Sequence, residues 1–113
     1  MNKLIKFATG NAPKLPIACR INNLQTPAIP TSAVVQASIT SLDKTVLIAP
    51  VAVPESNTGS DWANRVVNVQ FSSAQTSITI ASESIEAILE IEIDESGDPL
   101  TWFVPIIIEQ GTI

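Results

Sequence analysis

The residues best equipped by type for chemistry are acids. Glu90 and Glu92 lie two apart, and Asp94, Glu95 and Asp98 follow within six residues. A carboxylate pair is what glycoside hydrolysis requires. On a strand, though, Glu90 and Glu92 share the water-facing side of an alternating run, with no apolar pocket evident beside them. They read as a solvated face. A calcium loop of the EF-hand type needs Gly at its sixth position and Glu at its twelfth. Counted from Asp94, those positions hold Pro99 and Pro105. The cluster therefore reads as an exposed acidic turn.

Nucleophiles lack a histidine partner. The sequence contains no His, so no serine can join a Ser-His-Asp triad and Cys19 can join no Cys-His pair. A single Cys makes neither an internal disulfide nor a thiolate metal site. It reads as a small core residue in a reducing compartment. The four glycines, Gly10, Gly59, Gly97 and Gly111, are isolated, so no phosphate loop is present. The expectation is a chain that is not an enzyme, with no metal, no cofactor and no small-molecule substrate.

Trp62 admits two uses. It follows the longest polar stretch, residues 54–61, and precedes an apolar alternating run. Exposed, it would serve a sugar-binding module; turned inward, it would cap one end of the core. Only five aromatics are present, and no Tyr, which supplies a carbohydrate platform poorly.

The elements that must position these residues are strands. Leu15, Ile17, Cys19 and Ile21 alternate with Pro16, Ala18, Arg20 and Asn22. Val35, Ala37 and Ile39 alternate with polar residues, as do Val67, Val69 and Phe71, and Ala87, Leu89, Ile91 and Ile93. Period-2 alternation predicts strands with one face in the core and one in water. Leu4 to Ala8 and Thr76 to Ala81 fit less cleanly. Ser82 to Leu89 carries some helical spacing, but Glu90 to Ile93 alternates strictly. The spacing predicts a strand from about residue 86, with room for a helical turn before it. Asp94 to Pro99 predicts a hairpin turn. About seven strands in 113 residues imply one all-β domain, a sandwich or barrel.

Two runs break the alternation. Val46 to Val53 and Leu100 to Ile108 are apolar on both faces, and each contains Pro. Pro in a strand belongs at an edge or a bulge, and a doubly apolar edge must be covered or it aggregates. The cover is either the N-terminal arm or a loop of this chain, or another protein. The candidate interface residues are Lys3, Lys6, Val46, Ile48, Val51, Trp62, Phe103 and Ile107.

Charge is unevenly spread. The net charge of -5 divides into +4 over residues 1–20, with no acid, and -9 over the rest. A basic N-terminal arm, about residues 1–12, is expected either beside an acidic last hairpin or against an acidic end of another copy. Clustered bases with interleaved aromatics are missing, so nucleic acid is not an expected partner. No apolar run reaches the roughly 20 residues of a membrane span, and Lys6 interrupts any h-region of a signal peptide. The expectation is a soluble protein made in the cytoplasm, with no membrane partner.

The order of these segments resembles a known family. Gly10-Asn11-Ala12-Pro13-Lys14-Leu15-Pro16-Ile17, Ala33 to Ile39, Ser60 to Val69, Ser73 to Thr76, Ile88 to Ile93 with Gly97 and Thr101-Trp102, and Ile106 to Ile113 follow its pattern. The chain is similar to the small immunoglobulin-like β-sandwich of tailed-phage virions, typified by the N-terminal domain of the baseplate upper protein family. The resemblance implies an immunoglobulin-like antiparallel sandwich of about seven strands over residues 1–113. It implies a structural virion component without catalytic residues, whose partners are other virion proteins or copies of itself. In that family the domain usually heads a longer chain that anchors receptor-binding proteins. Here the expectation is a free-standing tail, baseplate or neck adaptor. The alternatives are a capsid decoration protein, or a host glycan- or protein-binding module using residues 54–62.

Overall fold

A computed structural model describes residues 5–21, 28–95, 97 and 99–111. Lys3 lies outside the described residues. The strands are β1 (Ile5–Ala8), β2 (Lys14–Ala18), β3 (Val34–Ser41), β4 (Val46–Ala52), β5 (Val66–Gln70), β6 (Ser84–Asp94) and β7 (Leu100–Glu109). A 3-10 turn, Trp62–Asn64, precedes β5. Five strands form one sheet in the order β1-β7-β6-β3-β4, and β2 pairs with β5 in a second.

That order is immunoglobulin-like. In chain order, β2, β3, β4, β5, β6 and β7 occupy the places of strands B, C, C′, E, F and G, with GFCC′ on one sheet and B and E on the other. The sandwich expected from the sequence is therefore present, with one correction. It is not wholly antiparallel: β1 runs parallel to β7, with Ile5 opposite Ile106 and Ala8 opposite Glu109. The two strands come from opposite ends of the chain, so no short hairpin dictates their direction.

Alternation places the core. Val35, Ala37 and Ile39 of β3 and Ala87, Leu89, Ile91 and Ile93 of β6 are buried between the sheets. They meet Leu15, Ile17 and Cys19 from the β2 side and Val67, Val69 and Phe71 from the β5 side. β6 starts at Ser84 as a strand, with no helical turn before it. Residues 76–81 form no strand. There the backbone curls: the Thr76 amide donates to the Ser72 carbonyl at 3.1 Å, and its hydroxyl donates to the Asn11 carbonyl.

The two doubly apolar runs have different explanations. In β4, Ala37 pairs with Val51, Ile39 with Ile48 and Thr40 with Val46, so the register slips twice. Each slip is a bulge, and Pro50 lies within the first. A bulge shifts the phase of alternation. Ile48, Val51 and Val53 all reach the core although their spacing is not strictly two. β7 has no slip. Trp102, Val104, Ile106 and Ile108 face the core, while Thr101, Phe103, Pro105 and Ile107 face outward. Pro105 is not on the outermost strand of the sheet. It lies one residue before the segment that β1 covers.

Leu89 is fully buried on the middle strand of the larger sheet. Leu89→Ala is expected to lower unfolding free energy by about 2–5 kcal/mol. Val46→Ser, on the exposed side of an edge strand, is expected to change it by about 0.5 kcal/mol or less. Urea denaturation of both variants checks the contrast.

Candidate functional site on the outer face of the five-stranded sheet

β6 and β7 project alternate residues away from the core, and their register sets which ones meet. Glu90 lies across from Phe103, Ile88 from Pro105, Glu86 from Ile107 and Glu92 from Thr101. On the other side of β6, Ser38 lies across from Glu90 and Thr40 from Ile88. Lys6 of β1 lies across from Ile107. The result is an apolar strip of Ile88, Phe103, Pro105 and Ile107 bordered by polar residues, with carboxylates on the middle strand. Phe103 is 64% exposed and Val46 60%.

Two adjoining hollows mark this face. One, about 270 Å³, lies between Gln36, Pro50, Glu90, Glu92 and Phe103. The other, about 610 Å³, lies between Leu42, Lys44, Ile88, Glu90 and Phe103. Both share Glu90 and Phe103. Such hollows suit protruding side chains of a partner.

Compared with known protein families, curated proteins and solved structures, the chain matches none.

The candidate interface residues divide. Lys6, Val46, Phe103 and Ile107 lie on the outer face, with Lys6 and Val46 exposed and Ile107 half-buried. Val51 is half-buried and packs on the core. Ile48 and Trp62, each 4% exposed, belong to the core and offer no surface. For Ile48 the reason is the bulge, which turns it inward. For Trp62 it is the 3-10 turn, which caps one end of the sandwich. Its carbonyl accepts from the Ile29 amide at 2.9 Å.

The 54–61 loop covers a sheet edge. The Asn57 side-chain amide donates to the Asn68 carbonyl at 2.9 Å, and the Asn68 amide donates back to the Thr58 carbonyl. Asn68, expected in water, is buried by this loop. Gly59 has φ +95°, and a Cβ there would lie 2.6 Å from the Asn68 amide nitrogen. A sugar platform on this loop would have to do without Trp62.

Three further constellations bear on chemistry. Ser41-Leu42-Asp43-Lys44 has the Ser-x-x-Lys spacing of some acyl-transfer enzymes. Here it forms the β3–β4 hairpin turn, with Lys44 at φ 70°. The Ser41 hydroxyl donates to the Asp43 carboxylate, and that bond and those of Thr45 hold the Asp43 carboxyl below its usual value. At the β6–β7 turn, Asp94 accepts from the Gly97 amide at 2.6 Å. Asp98 lies outside the described residues, among which no group of three His, Cys, Asp or Glu gathers as a metal site.

The third was not singled out by any sequence motif. Arg65 is fully buried at one end of the sandwich. Its Nε donates to the Cys19 carbonyl at 2.7 Å and its Nη1 to Glu95 Oε1 at 3.0 Å. Its guanidinium carbon lies 5.8 Å from the ring centre of Trp102, whose indole donates to the Arg20 carbonyl at 3.1 Å. Burial pushes the neighbouring Cys19 thiol from 9.0 up to about 12, and the Arg65 charge pulls it partly back. That thiol is protonated at neutral pH and makes a poor nucleophile.

Arg65→Met is expected to cost about 2–4 kcal/mol, because it strands the Cys19 carbonyl and unpairs Glu95. Glu95→Gln is expected to cost about 1 kcal/mol, since Glu95 is a quarter exposed. Denaturation monitored by Trp fluorescence measures both. Cys19 should react with iodoacetamide only as fast as the chain opens. Its raised pKa keeps its contribution to stability intact below pH 9.0 and removes it as the pH climbs toward about 12. Alkaline destabilisation should be smaller in Cys19→Ala; an equal loss in both proteins would refute the assignment.

Proposed function

We propose that this chain is a non-enzymatic structural protein of a tailed-phage virion, a tail, baseplate or neck adaptor that works by packing against other virion proteins. One observation carries the packing part. The outer face of the five-stranded sheet exposes Phe103 beside Ile88, Pro105 and Ile107, with two hollows around it. Exposed contiguous apolar surface of this kind marks contact sites, and an aromatic among hollows is the usual anchor of an interface. The virion part rests on the family resemblance of the sequence.

The absence of catalysis in this reading is supported by a sequence without His and by a buried thiol held protonated. The rival binding module is weakened by the buried Trp62, because its site would need that ring at the surface.

Particles purified from the phage or prophage that encodes the chain give the test. Mass spectrometry should find its peptides in intact particles. Phe103→Ser should lower incorporation roughly tenfold or more while leaving the isolated protein folded. Particles that lack the chain, in cells that make it, would overturn the reading.

A further inference from the structure

The outer face carries three carboxylates against two bases at its margins, Lys6 on β1 and Lys44 on the wall of the larger hollow, and among the described residues pairs none of them. Glu86, Glu90 and Glu92 project from β6, which runs through the middle of that face. Among the described residues none of the three is in an ion pair; the pair present is Arg65–Glu95. Glu90 is half-buried, with Phe103 on one side and Ser38 on the other.

This placement discriminates between occupants. A second copy seated symmetrically on the patch would set the β6 carboxylates against their own equivalents, and like charges juxtaposed at an interface are costly. A partner that brings cations gains the opposite sign of energy. The spacing adds geometry. Glu90 and Glu92 lie about 6.8 Å apart along the strand, the repeat of alternate residues in any extended segment. The 270 Å³ hollow opens between these two carboxylates and the Phe103 ring. A guanidinium there meets a carboxylate along its edge and an aromatic ring on its face, the two contacts a planar cation makes best. The length also suits one segment: eight residues of extended chain run about 27 Å, about the length of eight residues of β6.

We propose that the outer face docks an extended, basic and apolar segment of another protein, with an arginine seated between Glu90, Glu92 and Phe103. This rests on the packing reading above and names the chemistry of the partner. On the side of the segment that meets the sheet, an apolar residue lies over Ile88 and Pro105, and bases two and four residues further on face Glu90 and Glu92.

The full chain, labelled with 15N, provides the test by amide shift mapping. The probes are the peptides Ac-Val-Ser-Arg-Ser-Arg-NH2 and Ac-Val-Ser-Gln-Ser-Gln-NH2, whose first, third and fifth side chains share one face. The arginine peptide should give saturable shifts at Gln36, Glu90, Glu92 and Phe103, weakened by raising salt from about 50 to about 500 mM. The glutamine peptide should not bind. Glu90→Gln with Glu92→Gln should weaken binding about tenfold or more, and Phe103→Ser should do the same. Three results would overturn the proposal: no saturable shift up to about 5 mM peptide, binding unchanged by the double Gln variant, or a dimer through this face in sedimentation. The failures are separable. Loss of particle incorporation in Phe103→Ser, but not in the double Gln variant, would leave the packing reading standing and remove the basic partner.

Discussion

The buried guanidinium of Arg65 is the contact on which the two sheets depend at one end of the sandwich. A two-stranded sheet is marginal alone in water, and β2 with β5 is such a sheet. Arg65 sits just before β5 in the left-handed region, at φ 61°. From there its side chain reaches the Cys19 carbonyl, past the end of β2, and then Glu95 and Trp102 on the opposite sheet. Its own carbonyl accepts from the Cys19 amide at 2.8 Å, closing the β2–β5 ladder. One residue thus ends the smaller sheet and pins it to the β6–β7 hairpin. Burying a charge is costly, and an ion pair with further hydrogen bonds offsets part of that cost. The arrangement fixes which end of each sheet meets which, something a uniformly apolar core does not specify.

The edges are managed by other means, and together they leave a sheet face as the broader surface. The Cys19–Arg65 bond sets the parity of β2, so the backbone of Pro16 points away from β5 toward the free edge. A proline there presents no N–H for pairing. Asn57 and Asn68 cover the open side of β5. On β4, Pro50 and two register slips spoil the free edge. β1 occupies the edge of β7 over 106–109. Strand addition is thus discouraged at each of these positions. Apart from the short outer side of β1 and residues 100–105 of β7, what remains open is side-chain surface on the GFCC′ side.

Much of this was legible in the sequence, for a physical reason. β3 and β6 each have one wet face and one dry face over most of their length, so composition alternates with the pleat, and β5 alternates in composition too. Their inward residues could be named one by one. The signal fails where geometry and period part company. In β4 a bulge changes the phase, and Ile48 then looks like a surface residue because the count of two no longer holds. In β7 the alternation is perfect but invisible, since Phe103 and Ile107 are as apolar as Val104 and Ile106. Asn68 looks solvent-facing because its neighbours alternate, and only a loop distant by ten residues dries it. Arg65 gives no local sign at all. A left-handed backbone and contacts with Cys19, Glu95 and Trp102, 30 to 46 residues away in the sequence, are properties of the fold and not of a motif.

Recognition through a face differs from recognition through an edge. An added strand takes most of its affinity from main-chain hydrogen bonds, which read no side chain. A sheet face offers no main-chain groups, so its affinity must come from side-chain burial and its selectivity from charge. The outer face divides along those lines. Phe103, Ile88, Pro105 and Ile107 supply area that any apolar surface would match. Glu90 and Glu92 would disfavour a partner that brought an acid or left them dry and unpaired. Their position on the central strand matters more than their number. At the rim, water and salt would screen them; in the middle of the face, a docking partner must exclude that water and answer the charge. The same two residues that look like a solvated surface in the sequence are therefore the ones that would decide which surface can close over Phe103.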